Sequence, residues 1–202
     1  YIIKADCLLE LGEWEEAAYC LNQSLKSSPG DAEAIYRLGS IYYYHGEYSE
    51  ALSCFSGCCK LKPYYPHYWE MKGEMLLKLN QIIPAANCFY KAVKYGGPVY
   101  LQARLAYCYA KMGQLKKAKK LLLKVLKYDS SDFDTICNLA SVYHKLGKDD
   151  QAYQLFKKAY VLNCNDPILL NNLGYISFRL GRTRKAIEYF NEALKINPQD
   201  KI

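Results

Sequence analysis

The sequence predicts an all-α solenoid, a stack of about six helix-turn-helix units, and two columns of residues and one periodicity predict it. Gly12, Gly46, Asn80, Gly113, Gly147 and Gly181 follow one another at intervals of 34, 34, 33, 34 and 34 residues. Five residues after each of them stands an alanine, at Ala17, Ala51, Ala85, Ala118, Ala152 and Ala186. Two markers in step over six copies identify an internal repeat, and a repeat of this length is one supersecondary unit that cannot bury its apolar face alone. Before and after each glycine the apolar residues recur three and four apart, which is helical spacing. The repeats run over 1–31, 32–65, 66–98, 99–132, 133–166 and 167–202, and are expected to form one continuous array over 1–202 without a linker.

The first repeat lacks about three residues of its opening helix, so the chain reads as a segment of a longer protein whose exposed terminal repeats could self-associate. The second shows every marker. Ile35, Leu38, Gly39, Ile41 and Tyr42 precede Gly46, Ala51, Leu52 and Phe55 follow it, and Pro63 stops the second helix. Gly46 stands where a short turn needs a residue tolerant of positive φ. In the third, Asn80 replaces the turn glycine with the next-best residue for that conformation, and Pro84 falls in a first helical turn, where proline is tolerated. Gly96-Gly97-Pro98 then marks the place where one residue has been lost, a candidate hinge. The fourth is lysine-rich after its turn, the fifth is regular, and the sixth ends in a helix presenting Ile187, Phe190 and Leu194. Small residues recur at the eighth position, Ala5, Gly39, Gly73, Ala106, Ala140 and Gly174, where the two helices of a hairpin must approach closely.

Composition narrows the function classes. At 51% hydrophobic and 23% charged, with 7 prolines in 202 residues, the chain has the balance of a folded domain rather than a disordered one. No apolar run approaches the roughly 20 residues of a membrane span. Nine cysteines, an odd number scattered through helices, read as small buried hydrophobes of a cytoplasmic protein rather than as a disulfide framework. Cys54, Cys58 and Cys59 share a helix but lack further ligands at a recognisable spacing, so neither a metal nor a cofactor is expected. His45, His67 and His144 fall in different repeats, no nucleophile–base set accompanies them, and no phosphate-cradling loop is present. Catalysis is not expected.

The markers resemble those of the tetratricopeptide repeat family: Leu38-Gly39-x-x-Tyr42, Ala51-x-x-x-Phe55 and Pro63 in the second repeat. Trp69, Gly73, Ala85 and Phe89 match in the third, Leu139, Ala140, Tyr143, Ala152 and Phe156 in the fifth, and Leu173, Gly174, Ala186, Phe190 and Pro198 in the sixth. The resemblance implies a right-handed superhelix whose first helices line a concave groove and bind an extended or helical segment of a partner protein. Counting from Ala32 as position 1, the family's groove positions yield Tyr36, Arg37, Tyr43 and Tyr44 in the second repeat and Glu70, Glu74 and Lys78 in the third. They yield Arg104, Tyr107 and Lys111 in the fourth, Asn138 and Lys145 in the fifth, and Asn171, Asn172, Tyr175 and Arg179 in the sixth. Lys78, Lys111, Lys145 and Arg179 form a column of cations, although a helix's last turn favours cations for its own sake. Asn138 and Asn172 occupy the position from which this family clamps peptide backbone. The family's clamp for acidic chaperone tails, which needs lysine at position 5 with asparagine at 9, is absent from every repeat.

Charge is unequal along the chain. Residues 1–98 hold nine basic and eleven acidic side chains, residues 99–202 eighteen and nine. Lys116, Lys120, Lys124 and Lys127 follow helical spacing on one stripe of the fourth repeat, with Lys117 and Lys119 beside it. A solvated face explains them, since aromatic residues interleaved for base stacking are missing, and nucleic acid is the partner class expected least. The reading is therefore a protein-interaction scaffold, the alternative being a regulatory or substrate-recruiting repeat region of a larger enzyme or assembly.

Overall fold

Each hairpin turn is closed by the same pair of backbone hydrogen bonds, and the periodic glycine is the residue that permits it. In the second repeat the Gly46 amide donates to the Tyr43 carbonyl at 3.1 Å and the Glu47 amide reaches back to the Tyr42 carbonyl at 2.9 Å. This Schellman closure satisfies carbonyls that a helix end otherwise leaves orphaned, and it requires φ > 0 at the glycine. Gly46 has φ of 80°. The same two bonds recur at every turn, with Asn80 at φ 57° as the single non-glycine residue in that conformation among the described residues.

The structure is a computed structural model that describes residues 1–198. Among them the chain forms twelve α-helices and no strand, paired as hairpins: α1 (Ile2–Glu10) with α2 (Trp14–Ser27), α3 (Ala32–Tyr44) with α4 (Tyr48–Leu61), and α5 (Pro66–Lys78) with α6 (Ile82–Lys94). They are followed by α7 (Leu101–Lys111) with α8 (Leu115–Val125), α9 (Phe133–Lys145) with α10 (Asp149–Leu162), and α11 (Pro167–Arg179) with α12 (Thr183–Ile196). The fold is an all-α helical repeat. Its residues group into two compact halves, one of Tyr1–Leu101 and one from Gln102 onward.

The first helices start on deliberate caps. Asp31 accepts from the amides of Glu33 and Ala34, Asp132 from Thr135 and Asp166 from Leu169, so three first helices have an aspartate N-cap. Prolines at the first position open α5 and α11. The second helices have no side-chain cap, because the preceding Schellman turn already fixes the chain as it enters them. The α10 helix ends on an extended residue, Asn163. The α6 helix instead ends with Gly96 at φ 84°, the Gly96 amide bonded to Val93 and the Gly97 amide to Ala92. A tight closure thus replaces the longer linker at the short 33-residue interval. Gly97 has no room for a side chain, since a Cβ there would lie 2.6 Å from Leu101 and 2.8 Å from the Ala92 carbonyl.

Packing within a hairpin follows a volume rule. A small residue at position 8 faces a large one sixteen residues later: Gly39 faces Phe55, and Gly73 faces Phe89, both phenyl rings fully buried. Gly174 meets Phe190 in the same way, which leaves that ring half-buried rather than presented to solvent with Ile187 and Leu194. The alanines of the second column are buried throughout, Ala17, Ala51, Ala85, Ala118 and Ala152 completely. A Cβ on Gly39 would lie 2.9 Å from the Cys54 Cβ and 3.0 Å from the Phe55 ring, which has nowhere to go. Gly39→Ala and Ala152→Leu should each cost on the order of 1–3 kcal/mol by overpacking, measured as a shift of the urea-unfolding midpoint.

The cysteines belong to this packing. Cys58 and Cys59 are buried in the core between α4 and α5, and burial pushes both thiols up to about 12. Burial does the same at Cys137, also to about 12. Cys7 and Cys164 are exposed. Iodoacetamide at pH 8 should therefore label Cys7 and Cys164 in the native protein and reach Cys58, Cys59 and Cys137 only in denaturant, as read by peptide mass mapping.

Candidate functional site

The first helices carry the residues that the repeat register selects, and in the first half many of these bond to one another. The Arg37 guanidinium of α3 pairs with Asp6 of α1 and, at 3.0 Å, with Glu33 one turn earlier. Next to it runs a chain of hydrogen bonds across three repeats. The Tyr36 hydroxyl lies 2.8 Å from His67 Nε2, His67 Nδ1 lies 3.1 Å from Glu70, and the Tyr100 hydroxyl donates to the other Glu70 oxygen at 2.7 Å. A carboxylate only accepts, so Nδ1 of His67 carries the proton that faces Glu70. Tyr36 also packs on Phe55 and Tyr68. Burial raises its hydroxyl above the usual tyrosine range. Tyr36, Arg37 and Glu70, which the register selects as groove residues, thus also join adjacent repeats. Tyr43 packs at a tilt against Tyr44 and Tyr48, Tyr44 projects into solvent, and the Lys78 ammonium lies 6.0 Å over the Tyr48 ring. Glu74 sits on the same face of α5, half-buried.

The second half divides into a tied end and an open end. At the tied end, Asp149 in the first turn of α10 accepts from His144 Nδ1 at 2.7 Å and from Arg179 Nε at 3.2 Å. Tyr175 meets the His144 ring edge-on at 5.4 Å. Arg179 is therefore a link between two hairpins rather than a member of an unpaired column of cations. Asp149 belongs to a second helix, where the groove positions do not look, so the register gives no signal for it. Asn171 turns its amide oxygen into the helix packing, where it is closed to solvent, while Asn172 is half-exposed.

At the open end, Tyr107, Ala110 and Lys111 of α7 and Asn138, Ser141 and Lys145 of α9 line a cavity of about 220 Å³, with the buried Leu122 beneath. The structure thus brings together four register-selected residues, Tyr107, Lys111, Asn138 and Lys145, around one space. Arg104 lies one turn before Tyr107 on α7, exposed. The Lys111 ammonium rests 5.4 Å over the Tyr107 ring, which fixes its aliphatic stem at the rim. Ala110 and Ser141 gave no motif in the sequence; their contribution is the room they leave.

The lysines of α8 behave as surface. Lys116, Lys120 and Lys124, and Lys127 just past the helix end, are exposed, while Lys117 and Lys119 lie over the rings of Tyr109 and Tyr143 at 5.4 and 5.1 Å. An aromatic does accompany the stripe, since Tyr128 lines a shallow depression with Lys120, Lys124 and Lys127.

His144 and, next to it, Arg179 hold the Asp149 carboxyl below the usual aspartate range. A depressed carboxylate contributes stability that is present above its unfolded pKa of about 3.9 and is lost as pH falls through the folded value. Asp149→Asn keeps an acceptor but removes the charge. It should lower stability by about 1 kcal/mol at pH 7, and the gap to the parent chain should close below about pH 4, measured by denaturant titration across pH.

Comparison with known proteins places this geometry. Family models described as tetratricopeptide repeat match residues 4–66, 99–132, 136–167 and 167–200, together well over half of the chain. DnaJ homolog subfamily C member 3 of Bos taurus is 31% identical over 97 residues, 46% of this chain and 18% of that protein, so the match spans under a fifth of the relative. Among solved structures, PilW, a widely conserved type IV pilus biogenesis factor, superposes with a TM-score of 0.82 at 22% identity, covering 99% of this chain and 93% of that one. YrrB, described as a TPR protein with an unusual peptide-binding site, superposes with a TM-score of 0.71 at 18% identity, covering 91% and 95%. At these identities the structural likeness speaks for the fold. Among the described residues no helix is long and apolar enough to cross a membrane. The repeat register, its Schellman turns and the four family matches agree: the chain belongs to the tetratricopeptide repeat family.

Proposed function

We propose that this chain is a non-catalytic protein-interaction array that holds an extended or helical segment of a partner protein against its first helices. The observation that carries the reading is the cavity between α7 and α9, where Tyr107, Lys111, Asn138 and Lys145 surround one open space. In the same half of the chain Arg179 is bonded to Asp149, which supports a rigid frame beside that space. Rigidity matters because a preformed surface loses little entropy on binding. Asn138 and Asn172 stand one repeat apart on α9 and α11, both half-exposed, and their amides can each donate to and accept from a peptide unit of an extended segment. YrrB, similar in fold, is described with a peptide-binding site of its own, which adds support for a peptide as the ligand class.

A random dodecapeptide display library panned on the immobilised chain tests the reading. Enriched peptides should bind the parent protein and lose roughly tenfold or more in affinity to the Asn138→Ala, Asn172→Ala double variant by fluorescence anisotropy, with its thermal midpoint within about 2 °C of the parent. Failure to enrich any peptide, or peptides that bind the double variant as well as the parent, would overturn it.

A further inference from the structure

We infer that the cavity between α7 and α9 receives an acidic side chain, a glutamate or aspartate of the bound segment; this rests on the peptide-binding reading above and names what one position of that segment must be. One lining residue departs from its column. Position 12 of the repeat is Tyr43, Leu77, His144 and Phe178 in the second, third, fifth and sixth repeats, and Ala110 in the fourth. Where the other repeats carry a large side chain at this position, the fourth carries a methyl group beside a space of about 220 Å³, several times the roughly 30 Å³ that a water occupies.

Its chemistry is one-sided. Lys111 and Lys145 lie at successive copies of position 13, and no carboxylate lines the cavity. Among the described residues neither lysine is in an ion pair, in contrast to Arg37 and Arg179. Two ammonium groups at one opening repel each other, and an entering carboxylate relieves that repulsion while accepting from both. Asn138 adds an amide donor, whereas the Ser141 hydroxyl already donates to the Cys137 carbonyl at 3.0 Å. The methyl group of Ala110 and the buried Leu122 offer apolar wall to the methylene stem behind a carboxylate. An aromatic or aliphatic side chain would fill the space but leave both charges unanswered.

The test uses a fluorescein-labelled hexaglutamate peptide, its hexaglutamine counterpart, and the acidic members of the selected dodecapeptides with each Glu or Asp replaced by its amide. Ala110→Leu fills the cavity with the residue that the third repeat carries at this position, without touching a charge. Lys111→Gln with Lys145→Gln removes the cations, and Lys120→Gln with Lys124→Gln removes the same charge from the exposed stripe of α8. Hexaglutamate should bind the parent chain and lose roughly tenfold or more in affinity to both cavity variants, while the α8 variant stays within about threefold and hexaglutamine does not bind. Melting curves confirm that each variant is folded.

Undiminished binding of hexaglutamate by Ala110→Leu, or an equal loss in the α8 variant, would overturn the inference, the second by assigning the attraction to net charge. Displacement of hexaglutamate by free glutamate at the same concentration would also overturn it, since the occupant would then be a small carboxylate. Selected peptides that need Asn138 and Asn172 but tolerate every acid-to-amide change would defeat the inference while leaving the peptide-binding reading intact. No enrichment and no hexaglutamate binding would defeat both.

Discussion

Everything in this fold depends on reversing the chain within a few residues at each hairpin, and a left-handed residue makes that reversal possible. A helix end leaves carbonyls without partners, and a chain that turned there with right-handed geometry would expose them or continue the helix. One residue at φ > 0 lets its own amide and the next fold back onto Tyr43 and Tyr42, or their equivalents, and aims the second helix along the first. The close antiparallel approach that follows brings position 8 against the aromatic column, which is why Gly39, Gly73 and Gly174 cannot carry a side chain without disturbing Phe55, Phe89 or Phe190. Turn chemistry and core volume are thus one constraint seen at two places.

That coupling explains why the fold was legible from sequence. The turn needs glycine or asparagine, the helix contact needs alanine or glycine, and both recur with the repeat because each hairpin faces the same geometric problem. Even the irregularity could be read. The missing residue between Asn80 and Gly113 falls at Gly96-Gly97-Pro98, where α6 ends in its own Schellman closure. The N-caps Asp31, Asp132 and Asp166 are periodic too, though not every repeat carries one.

The candidate site was legible only in part, because register gives the direction of a side chain and not its partner. Position 5 aims Tyr36 and Glu70 at the same face, but whether they await a ligand depends on His67 and Tyr100, which come from different repeats. Arg179 stands in the cation column, yet its carboxylate partner, Asp149, belongs to a second helix and to no groove position. Such contacts between repeats are made by residues that differ from copy to copy, so periodicity averages them away. A position that breaks the column by being smaller, as Ala110 does, carries no chemical signature at all in the sequence; it becomes informative only when its neighbours are seen not to fill the gap.

The cations of the first-helix surface therefore differ in what their charges already do. Where Arg37 meets Asp6 and Arg179 meets Asp149, a ligand's carboxylate would have to compete with one already in place, and partly exposed pairs of this kind are worth at most about 1 kcal/mol. Such a pair holds a side chain in one orientation more than it stabilises the fold. Lys111 and Lys145 have no such competitor, so an incoming anion gains their attraction without first breaking a bond. Burial inside a lined cavity also lowers the local dielectric, so the same two charges act more strongly there than on the open α8 stripe.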